Sequence, residues 1–181
     1  MPAQIRPATM EEKPLLEALI ARSARGLSTE DYSTEQIEGA LRGAFGVDTQ
    51  LIRDQTYFVA ELDGKIVGCG GWSHRKTLFG GDARVDREAG ELDPRTDAAK
   101  IRAFFIDPDY ARRGIGRAIL DACERAARAQ GFRRFEMMAT LPGVRLYQAC
   151  GYFAEEHVSY PVGDGVSIPF VRMRKNESQV S

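Results

Sequence analysis

The stretch that most narrows what this chain can fold into is a strand-like run that stops at a proline and restarts as a helix. Lys100-Ile-Arg-Ala-Phe-Phe-Ile106 has the composition of a strand, and Pro108, with no N–H to give a ladder, ends it. The chain then reads Asp107-Pro-Asp-Tyr-Ala-Arg-Arg-Gly-Ile-Gly-Arg-Ala-Ile-Leu120. Gly114 and Gly116 permit a sharp turn and close approach of the backbone to a ligand. From Ile115 the apolar residues Ala118, Ile119, Ala122, Cys123 and Ala126 recur at helical spacing, and Gly131 supplies a stop. A helix opening on glycines presents unpaired N–H groups and a positive dipole end, a cradle for a phosphate or pyrophosphate. Arg112, Arg113 and Arg117 add positive charge around it. Glycine pairs also occur in ordinary turns, so the neighbouring elements must decide.

Those neighbours read as follows. Residues 3–7 form a short strand, and Thr9-Met-Glu-Glu12 is a capping-box pattern before Leu15, Leu16, Leu19 and Ile20, the regular helix beginning a few residues later because of Pro14. Ser33-Thr-Glu-Gln36 opens a second helix with Ile37, Ala40, Leu41 and Ala44 on one face. Residues 56–62 and 65–72 are β-prone runs joined at Asp63-Gly64, a hairpin signal, with Gly68, Gly70 and Gly71 marking a bulge or a close backbone approach. Residues 77–99 have no periodicity and read as a long loop, an acceptor lid or substrate contact being one use of such loops. A strand over 132–140, a short helix after Pro142 reaching Cys150, and a terminal hairpin turning at Gly163-Asp-Gly165 complete the chain.

This order is mixed α+β rather than doubly wound. It argues against a nicotinamide site, because a dinucleotide fingerprint needs a third glycine and a parallel βαβ unit, and Arg117 to Ala122 holds no glycine. A formal net charge of −1 gives no electrostatic footing for nucleic acid, and no apolar run is long enough to span a bilayer. With no signal-peptide pattern, the expected location is cytoplasmic. Cys69, Cys123 and Cys150 sit inside apolar patterns, as buried reduced thiols do, and no metal-ligand spacing occurs, so no metal is expected.

With that order, Ala111-Arg-Arg-Gly-Ile-Gly116 resembles motif A of the GNAT superfamily of N-acetyltransferases, Gln/Arg-x-x-Gly-x-Gly/Ala after a strand. Ala111 departs from the first position, a mild change where backbone amides carry the function. Leu146-Tyr-Gln-Ala-Cys-Gly-Tyr152 resembles the family's motif B, a helix-borne tyrosine followed by Gly-Tyr or Gly-Phe. The resemblance covers nearly the whole chain. It implies a mixed, mostly antiparallel central sheet of about seven strands flanked by about four helices, in a single domain over residues 1–175 with a polar tail over 176–181. It implies acetyl-CoA (coenzyme A) as cofactor and transfer of acetyl to a primary amine of a small molecule or peptide, by direct attack in a ternary complex. A non-catalytic acyl-CoA-binding or sensing protein of the same fold is the alternative. A homodimer through the last strands would follow family habit.

The same resemblance assigns residues. The backbone of Phe105 and Ile106 would bind the pantetheine arm, and the amides of Arg113, Gly114, Ile115, Gly116, Arg117 and Ala118, with Arg112 beside them, the pyrophosphate. Thr140 stands where many members carry an asparagine that contacts the cofactor. The strand over Ile101–Ile106 would splay from Phe135–Thr140 to open the cleft. Tyr147 matches the general acid that protonates the thiolate, and the Ile106 amide, freed by a bulge, the oxyanion donor. Loops over Leu27–Tyr32 and Gly163–Pro169 match, by position, those that shape acceptor sites.

Acyl transfer also needs a neutral amine. A lysine-like amine of pKa about 10.4 is neutral about once in 2,500 molecules at pH 7, a penalty near ~4.6 kcal/mol, so a base or a water chain is useful. Glu136, Glu61 and His74 are candidates, each equally at home as a structural or solvated group. Trp72, His74 and Arg75, at a strand end, are candidates to line an acceptor pocket, core packing being the other reading of Trp72.

Overall fold

The computed structural model describes residues 2–86 and 88–177. Seven strands form one sheet: β1 (Gln4–Pro7), β2 (Tyr57–Leu62), β3 (Lys65–Ser73), β4 (Ala99–Ile106), β5 (Arg134–Thr140), β6 (Phe153–Gly163) and β7 (Val166–Asn176). Their spatial order is β1-β2-β3-β4-β5-β7-β6, and every neighbouring pair is antiparallel except β4 with β5. The β2–β3 hairpin turns where expected, with Asp63 at φ 51° and Gly64 at φ 78°, the two positive values a tight hairpin turn requires.

Five helices flank the sheet: α1 (Lys13–Leu27), α2 (Thr34–Ala40), α3 (Thr49–Arg53), α4 (Ile115–Ala129) and α5 (Val144–Ala149). Leu16, Leu19 and Ile20 of α1 and Ile37 and Ala40 of α2 pack with Val59, Phe105, Ile168 and Phe170 on one face. Ile119, Leu120, Cys123 and Ala127 of α4 pack with Val67, Ile101, Phe135 and Met137 on the other. The alternation of β5 shows the division: Phe135, Met137 and Ala139 face α4, and Met138 packs with the α1 side.

Three local readings change. The helix α3 has no apolar period to announce it, being five residues long, and Asp48 caps it by accepting from the Gln50 N–H at 3.0 Å. The polar tail expected from 176 starts later: Asn176 ends β7, the Glu177 N–H donates to Arg133 O at 2.9 Å, and residues 178–181 lie outside the described residues. The 77–99 loop is tied down at several points. Lys76 donates to Gly90 O, Leu92 to His74 O, Gly81 to Gly43 O and Asp82 to Val47 O, all at 2.8–3.0 Å.

The sheet splits in the middle. The strands β4 and β5 are in register only over Ala99–Ile101 against Phe135–Met137, and beyond Ile101 they part. The cause lies in β4. Gly71 pairs with Arg102 but Cys69 with Phe105, so β4 carries one residue more than β3 over this span, and Ala103 takes φ 53° to accommodate it. The bulge bends β4 away while β7 keeps β5 fully paired on its other side.

Candidate active site

The cavity at this split joins the two faces of the sheet. On the α4 side it is bounded by Phe104, Met137 and Tyr147, and on the α1 side by Phe45, Phe79 and Phe170. Its enclosed volume is about 50 Å³. That is room for an acetyl-sized group, and about a third of the ~150 Å³ in which a benzene has been accommodated.

Tyr147 lies on α5, 7% exposed, with Phe104 edge-on at 6.2 Å and Tyr152 at 6.1 Å. Its hydroxyl makes no hydrogen bond to any described residue, and burial raises its pKa above the ordinary phenol value. Tyr152 is anchored behind it by a 2.7 Å hydrogen bond to buried Glu124, which Lys175 and Arg128 also hold, each at 3.1 Å. Phe104 fits because residue 70 is glycine: a Cβ there would meet the Phe104 ring at 2.6 Å. Gly70→Ala is therefore expected to push Phe104 into the cleft and against Tyr147. We expect a loss of roughly 1–3 kcal/mol in denaturant titration, as overpacking gives, with a fall in turnover of about tenfold.

The helix α4 begins at Ile115 with Gly114 as N-cap at φ 79°, and no side chain caps its N–H groups. Arg112, at φ 63°, completes the turn. Gly116 serves packing as well, since a Cβ there would lie 2.9 Å from the Leu146 side chain on α5. Arg113 lies over the Tyr110 ring at 5.1 Å, and Arg117 reaches Ala149 O at 3.3 Å. This uncapped, positively flanked N-terminus, next to the open edge of β4, suits an anion such as a diphosphate.

Other expected site residues are placed differently. The Ile106 N–H faces away from β3, but it is not free: it donates to Ser23 Oγ of α1 at 3.1 Å. Ser23 is a residue that sequence reasoning missed, having no local pattern to mark it. Glu136 is buried and ion-paired outside the cavity lining. It is 1% exposed and held by Lys100 at 2.7 Å, Arg174 at 3.5 Å and Arg172. Burial alone would raise its pKa, but the Lys100 and Arg172 cations outweigh that and hold the carboxyl below its ordinary range. Glu61 is engaged by Arg6 at 3.0 Å on β2, next to the sheet edge.

Trp72, His74 and Arg75 belong to the closed end of the sheet. Trp72 pairs with Ile101 and packs on Phe132 at 5.9 Å, 1% exposed. His74 and Arg75 are bound up with Glu91, at 2.7 and 3.1 Å, and Arg75 with Asp54 at 2.7 Å. None of the three is among the residues that line the cavity, although Ile101, paired with Trp72, is. Thr140 lines it, at the end of β5. Among the described residues lining the cavity none is Asp, Glu or His. Tyr32, outside the lining, accepts from the Leu141 N–H at 2.9 Å and donates to Pro169 O at 2.7 Å. No group of His, Cys, Asp and Glu among the described residues could hold a metal, and no described helix is long and apolar enough to cross a membrane.

A mostly antiparallel seven-stranded sheet, split between one parallel pair beside a glycine-opened helix, is the architecture of GCN5-related N-acetyltransferases. Solved structures share it. A GCN5-related N-acetyltransferase from Rhodopseudomonas palustris is 21% identical, with 97% of this chain and 96% of that one covered and a TM-score of 0.71. The PaiA N-acetyltransferase from Thermoplasma acidophilum, in complex with coenzyme A, is 16% identical over 97% and 99%, with a TM-score of 0.65. The ribosomal-protein-S18-alanine N-acetyltransferase from Escherichia coli is 16% identical over 99% and 96%, at 0.62. At these identities the likeness is one of fold. No curated protein matches the chain. The model of the acetyltransferase (GNAT) family matches residues 21–152, and the chain belongs to that family. Membership makes acetyl-CoA its cosubstrate.

Proposed function

We propose that the protein transfers acetyl from acetyl-CoA to a primary amine by direct attack within a ternary complex. The observation that carries this reading is the split of β4 from β5 directly beside Tyr147. The thioester supplies an activated acyl carbon and a thiol leaving group. The amides at the start of α4 hold the diphosphate, the open edge of β4 around Phe105 aligns the pantetheine, and Thr140 borders the arm. The Ile106 N–H becomes the oxyanion donor once the Ser23 hydroxyl turns to another rotamer, a single χ1 change. The amine nitrogen bonds to the carbonyl carbon as the C–S bond breaks. The Tyr147 hydroxyl gives its proton to the departing sulfur, and the amine's proton passes through water and restores the phenol, no described wall residue being a carboxylate or imidazole. A phenol is a weaker acid than a thiol, and burial raises Tyr147 further, but the same burial penalises the departing thiolate, which offsets that rise.

The absence of a base among the wall residues described favours one competing reading, a protein that binds acyl-CoA without turnover. Calorimetry and a thiol-release assay over a panel of amines separate the two. We expect acetyl-CoA to bind and thiol to be released only when an amine is present; binding with no release from any amine would leave the sensor. The small enclosed volume gives a second expectation from the same assay: turnover with benzoyl-CoA falls at least ~100-fold below acetyl-CoA, because a ring exceeds a cavity of about 50 Å³.

A further inference from the structure

The α1-side wall of the cavity carries the rings of Phe45, Phe79, Phe105 and Phe170, with Ala44, Ala103, Met138 and the ion-paired Arg102 between them. Phe45 meets Phe105 edge-on at 5.6 Å and Phe170 at 6.0 Å, and Phe79 meets Phe170 at 5.7 Å and Tyr160 at 5.0 Å. These rings come from four separate parts of the chain, and the contribution of the 77–99 loop, Phe79, is fixed rather than loose. The Gly81 N–H donates to Gly43 O at 3.0 Å, and Gly81 lies so close to Gly46 that a Cβ on it would approach that backbone at 2.8 Å. Buried Arg102 donates to Gly80 O at 2.7 Å, next to Phe79.

The charges around this wall are already matched. Arg102 is paired with Asp48 at 3.1 Å, both nearly inaccessible. Arg84 lays its guanidinium over the Phe79 ring at 3.8 Å and lies 5.3 Å from the Tyr160 ring, bound to Asp86 at 2.7 Å and to Phe79 O at 2.6 Å. A second cation is thus turned away from the ring faces where cation–π attraction would hold it. Asp86, the nearby carboxylate, is engaged by Arg84 and by the Tyr160 hydroxyl at 3.3 Å. What the wall offers an incoming molecule is apolar, ring-edged surface with no unpaired charge.

From this wall we infer that the acceptor is a primary amine carried on an aromatic or similarly bulky apolar body, and that Phe79 with Phe45 and Phe170 selects it. The inference rests on the acetyl-transfer reading. The amine enters the seam toward Tyr147, and the body stays outside the enclosed space of about 50 Å³ against half-buried Phe79, with buried Phe45 and Phe170 packed behind that ring. Polyamines and acidic amines lack a partner there.

The test compares kcat/KM for 2-phenylethylamine, ethylamine and spermidine at saturating acetyl-CoA, with calorimetric binding of acetyl-CoA measured alongside. We expect 2-phenylethylamine to exceed ethylamine by about tenfold and spermidine by more. Phe79→Ala should collapse the phenylethylamine-to-ethylamine ratio at least fivefold with the acetyl-CoA dissociation constant unchanged. Phe79→Leu keeps most of the volume and guards against loss of fold, checked by thermal melting; it should lower the ratio to an intermediate value. A wild-type preference for spermidine, equal loss with all three amines in Phe79→Leu, or thiol release with none of them while acetyl-CoA binds would each overturn the aromatic acceptor. Failure of acetyl-CoA to bind would instead remove the acetyl-transfer reading beneath it.

Discussion

Replacing Tyr147 by phenylalanine is expected to lower kcat by about 10²-fold or more, within the range a positioned general acid supplies, while leaving the acetyl-CoA dissociation constant within twofold. The hydroxyl is the one polar group Tyr147 adds to the cavity, and no described residue bonds it, so its removal leaves no orphaned partner. The ring contacts to Phe104 and Tyr152 stay in place, and stability should be nearly unchanged. The pH profile distinguishes chemistry from packing. Burial moves the Tyr147 ionisation above its ordinary value, so the acid form persists through pH 10. Wild-type kcat/KM with an alkylamine should climb about tenfold per unit from pH 7 to 9, following the neutral fraction of the amine, with no falling limb there. An unchanged kcat in Tyr147→Phe across that range would show that the thiolate leaves unassisted.

The largest stability effect is expected at Asp48→Ala. Asp48 caps α3 and faces Arg102, which is 2% exposed. Removing the carboxylate takes the opposite charge from a buried guanidinium, a change that costs roughly 3–5 kcal/mol, and a lost cap adds about 1 kcal/mol. Against the ~5–15 kcal/mol that holds a typical native protein together, this is a large fraction. It should appear as a lowered denaturant midpoint with an unchanged slope. Because Arg102 also holds Gly80 O, the acceptor-side wall should loosen before the chain unfolds, seen as a raised acceptor KM at temperatures where circular dichroism is still native. Asp48→Asn, which keeps a capping acceptor, should recover part of the stability.

Much of the fold could be read from local chemistry. Asp63-Gly64 announced its hairpin because the turn needs positive φ at both residues, and α4 announced itself by period and by its glycine start. The bulge at Ala103 could not be read, since alanine carries no mark of a left-handed backbone. The ring-bearing wall of the cavity was equally hidden: Phe45, Phe79 and Phe170 are far apart in sequence, and only the folded sheet brings them together. Ser23 meets Ile106 across 83 positions, beyond any motif. The misplacement of Trp72, His74 and Arg75 is of another kind. As β3 runs antiparallel to β4, its last residues must lie beside the first residues of β4, away from the glycine turn that follows β4. Topology puts them away from the phosphate-cradle end of β4, and burial of Trp72 with pairing of His74 and Arg75 to Glu91 engages them elsewhere.

The seam between β4 and β5 has a mechanical consequence. The ladder that joins the β1–β4 block to the β5–β7–β6 block is three residue pairs long, and the Lys100–Glu136 bridge and the Arg172 contact clamp it at its closed end. Because the Glu136 carboxyl sits below its ordinary range, that clamp is whole at neutral pH and is lost only as pH falls through the lowered value. Above the clamp the two blocks share no strand-to-strand bonds, so they can breathe as two leaves of a book bound along a short spine. A ligand that bonds the free edge of β4 and packs on β5 would act as a temporary eighth strand, turning two weakly coupled leaves into one cooperative unit for as long as it stays bound.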